Sequence, residues 1–150
     1  MKGNECLNKY ISFNECSALN VEDPETLKAV LSLTSKLKSN EDDPQILITL
    51  KFNQNVNITY IQIEVGKNID LHPSTLKVFV GRDDLDFDDV QDMKPTEKFE
   101  LEKNLGKAMK VNIPRFKNVN IMTVRILFFL SFLFFFNSYF YIIMILHKLK

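Results

Sequence analysis

Tryptophan is absent from this sequence, glycine occurs four times, and cysteine occurs twice. So few glycines leave no glycine-rich loop that could cradle a phosphate group. Cys6 and Cys16 are too far apart for a CxxC redox pair, and no histidine lies nearby to complete a metal site. We therefore expect two free, partly buried thiols in a reducing compartment. Carbohydrate sites usually stack a sugar on an aromatic side chain, and without tryptophan only Tyr10 and Tyr60 could serve, by analogy alone.

The chain has no net charge, because its 19 basic residues balance 19 acidic ones. No global field therefore attracts nucleic acid or an anionic membrane surface, and we expect no nucleic-acid partner. The first ten residues lack the apolar core of a secretory signal, so we expect a cytoplasmic location that can extend to the nucleus. A length of 150 residues is typical of one domain with one sizeable core.

No pattern of residues in the sequence is typical of catalysis. No serine lies in a nucleophile elbow, no pair of carboxylates lies in an apolar frame, and His72 stands alone before Pro73. We therefore predict that the protein is not an enzyme, and the sequence offers no catalytic residue, no cofactor-binding residue and no metal ligand.

Six aspartates form the densest charged feature of the chain: Asp83, Asp84, Asp86, Asp88, Asp89 and Asp92. Three of them have the opening spacing of an EF-hand loop, but Asp89 replaces the glycine of the sixth position and Pro95 the glutamate of the twelfth. The EF-hand interpretation therefore fails. Two alternatives stay open, a looser calcium site in a sandwich loop, or a solvated acidic loop with a helical turn that Leu85, Phe87 and Val90 pin to the sheet.

A run of basic residues follows the aspartates: Lys103, Lys107, Lys110, Arg115 and Lys117. They alternate with apolar residues, as on the outer face of a pair of strands. Two interpretations stay open, solvated surface side chains or a docking surface for an acidic partner.

The stretch of residues 46–65 predicts the strands around which the fold is built. Its first apolar residues fall on alternate positions, as one face of a strand requires: Ile46, Ile48, Leu50 and Phe52. The amide side chains of residues 53–55 then predict a turn. The pattern changes phase between Ile58 and Ile61, which is typical of a β-bulge or of a strand that bends from one sheet to another. This stretch predicts a curved antiparallel core of sandwich or jelly-roll type.

The rest of the chain predicts further short strands and one short helix. Strands are expected over residues 76–80, 96–101, 111–113 and 116–126, and the helix near residues 24–32, where Asp23 and Pro24 are typical of a helix start. Many short strands separated by turn signals, with one minor helix, indicate an all-β fold. We predict a jelly-roll β-sandwich.

Several segments also resemble those of a known family in their order along the chain. They are Tyr10-Ile11, Cys16 to Asn20, Asp43 to Gln54, Leu76 to Val80, Asp86 to Asp89, Pro95-Thr96 and Phe116 to Asn120. This ordered set, within residues 6–126, resembles the PITH domain, which is named for a proteasome-interacting thioredoxin protein.

The resemblance implies a jelly-roll sandwich related in shape to galactose-binding-like domains, without catalytic residues. In the thioredoxin-like member, the domain attaches a redox module to the regulatory particle of the proteasome. This chain contains no CxxC motif and resembles the stand-alone PITH proteins. The resemblance therefore implies a non-catalytic protein-interaction module, with the proteasome regulatory particle as an extrapolated partner. No motif marks the contact residues of the family, so none is carried over.

The chain departs from the family pattern over residues 126–146, which contain no charge. As a helix with a rise of ~1.5 Å per residue, this run would span ~31 Å, enough for a hydrocarbon core of ~30 Å. Three interpretations stay open. The run is a transmembrane helix that makes the protein a membrane-tethered adaptor, or a final strand that includes Ser138 to Phe140, or a tail that is not native coding sequence.

Overall fold

A computed structural model describes residues 4–21, 23, 25, 27–32, 45–65, 73–128 and 142–149. The strands are β1 (Asn4–Cys6), β2 (Ser17–Leu19), β3 (Gln45–Val56), β4 (Tyr60–Val65), β5 (Pro73–Val80), β6 (Glu97–Glu100), β7 (Met109–Lys110), β8 (Val119–Phe128) and β9 (Ile142–Leu149). The helices are α1 (Leu27–Leu31) and α2 (Phe87–Asp92), and 3-10 turns cover Leu7–Tyr10, Phe13–Glu15 and Ile113–Phe116. The predicted all-β class is therefore confirmed.

The strands form two antiparallel sheets that pack face to face. Among the described residues, one sheet has four strands in the order β1, β9, β4, β7, and the other has five in the order β2, β3, β8, β5, β6. The facing side chains form one apolar core, to which β4 contributes Ile61 and Ile63, β3 contributes Ile48 and Leu50, and β8 contributes Val124. The architecture is the predicted β-sandwich.

The alternating residues of β3 lie where the sequence places them, because Ile46, Ile48, Leu50 and Phe52 are all buried in the main core. The turn predicted at residues 53–55 is wrong. Those residues are exposed, and β3 continues through them to Val56, with a register shift against β8 after Lys51. A bulged strand at the surface keeps its polar amides in water, so these amides do not need a turn.

The change of phase between Ile58 and Ile61 marks the point where the chain crosses between the sheets. β3 belongs to the five-stranded sheet and β4 to the four-stranded one. Ile58 lies buried in the connection, and its backbone N–H donates to the carbonyl oxygen of Phe116 at 3.0 Å. The expected bend from one sheet to the other is therefore confirmed.

A second, smaller core lies on the outer face of the five-stranded sheet. Leu47 of β3 and Phe79 of β5 point away from the main core and pack against Leu85 and Val90 of the acidic loop, with Phe87 partly buried beside them. The predicted helical turn of that loop is α2, pinned to the sheet by its apolar residues as expected. The fold thus has a second short helix beside α1, which lies within the range predicted near residues 24–32.

The strand predicted over residues 111–113 is wrong. Only Met109–Lys110 pair with β4, and Ile113 begins a 3-10 turn in which its side chain is 36% exposed. Pro114 explains the change, because its fixed φ suits the start of a helical turn and it has no N–H for a strand ladder. Strand β8 correspondingly begins at Val119 instead of residue 116, after Asn118, which has a positive φ of 55°.

The apolar run over residues 126–146 is not one helix. Its described ends are strands, because residues 126–128 complete β8 and residues 142–146 belong to β9. Strand β9 lies between β1 and β4 in the four-stranded sheet, so the alternative of a final strand is the one the structure supports. Residues 138–140 lie outside the described part. None of the described helices is long and apolar enough to cross a bilayer.

Candidate interaction surface

The acidic loop, residues 82–92, builds its own helix start. The backbone N–H of Asp89 donates to Oδ1 of Asp86 at 2.9 Å, and the N–H of Asp86 donates to Oδ2 of Asp89 at 3.1 Å. This reciprocal pair satisfies N–H groups that the first turn of α2 would otherwise leave without partners. Two of the six aspartates are therefore used to shape the loop.

Two more aspartates of the acidic loop pair with basic side chains. Arg82 donates to both carboxylate oxygens of Asp84, at 2.7 and 2.9 Å, and this hydrogen bonding lowers the pKa of Asp84. Lys51 of β3 pairs with Asp83 at 3.1 Å. In the part of the chain that the structure describes, no three carboxylate, thiol or imidazole side chains are grouped to hold a metal ion. Four of the six aspartates, Asp83, Asp84, Asp86 and Asp89, therefore have partners within the chain, as the solvated alternative expects.

The predicted run of basic residues is exposed but does not lie on a pair of strands. Lys103 and Lys107 lie in the loop after β6, Lys110 lies in β7, Arg115 in the 3-10 turn, and Lys117 just after it. None of the five forms a salt bridge with a described residue. Because no carboxylate of the described chain neutralises these side chains, their charge is available to an outside partner.

A groove opens beside β6, and we call it the edge groove. It is lined by residues 94–98 together with Asn112 and Arg115, and its volume is about 300 Å³. It lies between β6, an edge strand of the five-stranded sheet, and the segment that follows β7, an edge strand of the four-stranded sheet. Sequence reasoning singled out Arg115 but missed Lys94 and Lys98, since only the strand order brings these residues together.

The two cysteines are free and partly buried, as expected. Burial raises the pKa of the Cys16 thiol, whose sulfur accepts a hydrogen bond from the backbone N–H of Lys51 at 3.4 Å. Tyr10, a candidate for sugar stacking, donates its hydroxyl to Glu5 at 2.7 Å and has the Lys9 ammonium 5.0 Å from its ring centre. Its ring is therefore already covered on one side. His72 lies outside the described residues.

The fold and its strand order define the class of the protein as an antiparallel β-sandwich, and a fold of this class does not by itself assign an activity. Comparison with known families places it further. The PITH domain model matches residues 1–131, so the chain belongs to the PITH domain family.

Among curated proteins, PITH domain-containing protein 1 from Homo sapiens is 29% identical to this chain over 94 residues. The match covers 61% of this chain and 44% of that relative, so the chain spans less than half of the relative's length. The resemblance first seen in the ordered segments is confirmed at the level of the family.

Proposed function

We propose that this protein is a non-catalytic protein-interaction module that binds the regulatory particle of the proteasome. The observation that carries the proposal is membership of the PITH domain family, whose model matches most of the chain. The family resemblance implies that the protein binds another protein, and the proteasome is the partner we extrapolate from it. In line with it, we place the protein in the cytoplasm, with access to the nucleus.

The charge distribution supports a partner with an acidic face. Residues 82–93 contain six aspartates and one arginine, a net charge of −5, whereas residues 94–117 contain seven basic residues and three glutamates, a net charge of +4. A neutral protein with charge separated in this way orients its partner through the field of each region, which speeds the encounter and selects one face. Among the described residues, Lys103, Lys107, Lys110, Arg115 and Lys117 of the basic region form no salt bridge, whereas Asp83 and Asp84 of the acidic loop are paired with Lys51 and Arg82.

The proposal is tested with purified components. The full chain with an N-terminal affinity tag is incubated with purified 26S proteasome, with isolated regulatory particle and with 20S core particle, and each mixture is separated by sedimentation. We expect the chain to sediment with the first two and not with the core particle. Binding should weaken as salt rises from 50 to 300 mM, because salt screens charge pairs at an interface.

A matched variant checks that the binding face is the basic one. Asp88 and Asp92 are exposed residues of the acidic loop. The variant Asp88→Asn/Asp92→Asn should therefore bind the regulatory particle as the unchanged chain does. Failure of the chain to sediment with either regulatory-particle sample at low salt would overturn the proposed function.

A further inference from the structure

The edge groove has walls that hydrogen bonds fix in place. The backbone N–H of Asn112 donates to Oε2 of Glu97 at 2.7 Å, and Nη1 of Arg115 donates to the carbonyl oxygen of Thr96 at 3.1 Å. On the far side, the N–H of Thr96 donates to the carbonyl oxygen of Val78 at 2.7 Å, and its Oγ1 accepts from the N–H of Val80 at 3.0 Å. The segment after β7 is thereby tied to the start of β6.

The groove is positively charged. Three of its four ionic side chains are basic, Lys94, Lys98 and Arg115, and the fourth, Glu97, already accepts the Asn112 N–H. Lys98 pairs with Glu100 at 3.3 Å, but both side chains are more than half exposed, so the pair is weak and exchanges readily with another carboxylate. A chain with carboxylates at matching positions would find several uncommitted donors here.

The backbone beside the groove is open to another strand. β6 is the last strand of the five-stranded sheet, and among the described strands it pairs only with β5. In the described part of the chain no strand pairs with its outer side, although the carbonyl oxygen of Glu100, at the end of β6, accepts from Nδ2 of Asn104 at 2.6 Å. An edge of this kind accepts an extended peptide through main-chain hydrogen bonds, while neighbouring side chains select its sequence.

We propose that the edge groove binds an extended, acidic segment of a partner protein, which adds a strand to β6 and places its carboxylates against Lys94, Lys98 and Arg115. This inference rests on the proposed function, since it names the surface and the chemistry through which an interaction module would hold its partner. Alternate residues of a strand point to opposite faces. The segment that fits best carries acidic residues at every second position.

The probe is a fluorescein-labelled peptide, Glu-Val-Glu-Val-Glu-Val-Glu, titrated with the full chain and followed by fluorescence anisotropy. The basic counterpart, in which lysine replaces each glutamate, should not bind. Amide resonances that shift on adding the acidic peptide should belong to residues 96–100 and 112–115. Shifts confined to another part of the sandwich, or equal binding of the basic peptide, would overturn the proposal.

Two variants with the same change of charge separate the groove from general electrostatics. Lys94→Glu/Lys98→Glu reverses two lysines that line the groove, and Lys103→Glu/Lys107→Glu reverses two exposed lysines of the following loop that do not line it. The first should weaken peptide binding about tenfold or more, because two attractive contacts become repulsive, and the second by less than about threefold. Equal losses in the two variants would show that net charge alone governs binding and would overturn the groove assignment.

A second copy of this chain could also reach the groove, through its acidic loop. Size-exclusion chromatography with light scattering detects this, and a concentration-dependent dimer abolished by Lys94→Glu/Lys98→Glu would assign the groove to self-association and overturn the proposal. The sedimentation assay of the preceding section keeps the two proposals apart. Regulatory-particle binding without peptide binding would overturn the groove assignment alone, and peptide binding without regulatory-particle binding would overturn the proposed partner alone.

Discussion

Thr49 of β3 and Thr123 of β8 are opposite each other in the five-stranded sheet and form a buried chain of hydroxyl groups. Their Oγ1 atoms are 3.2 Å apart, and Oγ1 of Thr123 donates to the carbonyl oxygen of Arg82 at 2.9 Å. A hydroxyl has one proton to donate. Because a carbonyl oxygen can only accept, the Thr123 hydroxyl donates its hydrogen bond to Arg82. The hydrogen bond between the two threonines must then be donated by Thr49. The carbonyl oxygen of Arg82 therefore sets the direction of both hydrogen bonds.

This direction predicts unequal costs for the two valine substitutions. Thr49→Val removes one hydrogen bond and keeps the one from Thr123 to the carbonyl oxygen of Arg82. It should therefore lower the free energy of unfolding by about 0.5–1.5 kcal/mol. Thr123→Val removes both hydrogen bonds and leaves the Thr49 proton buried without an acceptor, so it should cost about 2–4 kcal/mol, the sum of a lost bond and a desolvated donor. In Thr49→Val/Thr123→Val no buried hydroxyl is left without an acceptor. The double variant should therefore be more stable than Thr123→Val alone.

The assay is equilibrium urea unfolding of the four proteins, followed by far-UV circular dichroism and by tyrosine fluorescence. The free energy of unfolding should fall in the order unchanged chain, Thr49→Val, double variant, Thr123→Val. Residues in contact are expected to couple in this non-additive way. A double variant that is less stable than Thr123→Val, or costs that simply add, would show that the hydroxyl chain does not run as deduced.

Three further predictions follow from single features of the fold. Asp86→Ala removes the side-chain cap of α2 and should lower the free energy of unfolding by about 0.5–2 kcal/mol in the same urea assay. Burial raises the pKa of Cys16, so in a Cys6→Ser variant its alkylation by iodoacetamide should reach half-maximal rate at a higher pH in the folded chain than in urea. The protonated thiol also stabilises the fold below the unfolded pKa, and that contribution is lost as the pH rises through the folded pKa. Deleting residues 142–150 removes β9 from between β1 and β4, and the truncated chain should lose its dispersed amide spectrum and aggregate, because an open β4 edge invites pairing with other chains.

Each of these predictions has a control or a contradicting result. Asp88→Ala, an exposed position in the same turn, should cost less than about 0.5 kcal/mol, and a cost equal to that of Asp86→Ala would contradict the capping argument. An alkylation midpoint for Cys16 that is the same in urea as in the folded chain would contradict its burial. A truncated chain with an unchanged spectrum would show that β9 is not needed to complete the sheet.

The parts of the fold that could be predicted from sequence are those where burial follows a local pattern. Ile46, Ile48 and Leu50 alternate because one face of β3 meets the core, and a period of two reports that face directly. The change of phase after Ile58 was equally informative, since a residue that stays buried while the chain turns must break the alternation. Leu85 is a similar case, because an apolar residue inside a run of aspartates has little reason to be there unless it is covered.

The errors arose where a local preference depends on a distant partner. The amides of residues 53–55 favour a turn in isolation, but β3 continues through them as a bulge and pairs with β8 again at Val56, so the connection to β4 begins after Val56. Val111 and Ile113 have strand spacing, yet Ile113 has no sheet to join and turns into a 3-10 segment before Phe116, which is fully buried. Neither the pairing of β3 with β8 nor the lack of a described strand beside Ile113 can be predicted from the neighbouring residues.

The edge groove could not be predicted from the sequence either, because distant segments of the chain bring its lining residues together. Lys98 lies in β6 and Arg115 in the 3-10 turn after β7, and the two line one groove although β6 and β7 belong to different sheets. The sequence shows that the region from residue 94 to 117 is basic. Which of its side chains share a groove is a property of strand order, and strand order is set by the pairing of segments far apart in the chain.

The apolar run at residues 126–146 shows why length without charge is a weak criterion for a membrane helix. Central strands that are buried on both faces lose the alternation of half-exposed strands and read as continuous apolar sequence. Met122, Thr123 and Val124 of β8 are consecutive and all fully buried, so β8 is such a strand, and its last residues open the run that β9 closes in the other sheet. The described ends of the run therefore belong to two different strands that lie in different sheets. The criterion identifies a membrane segment only once the run is known to be a single element.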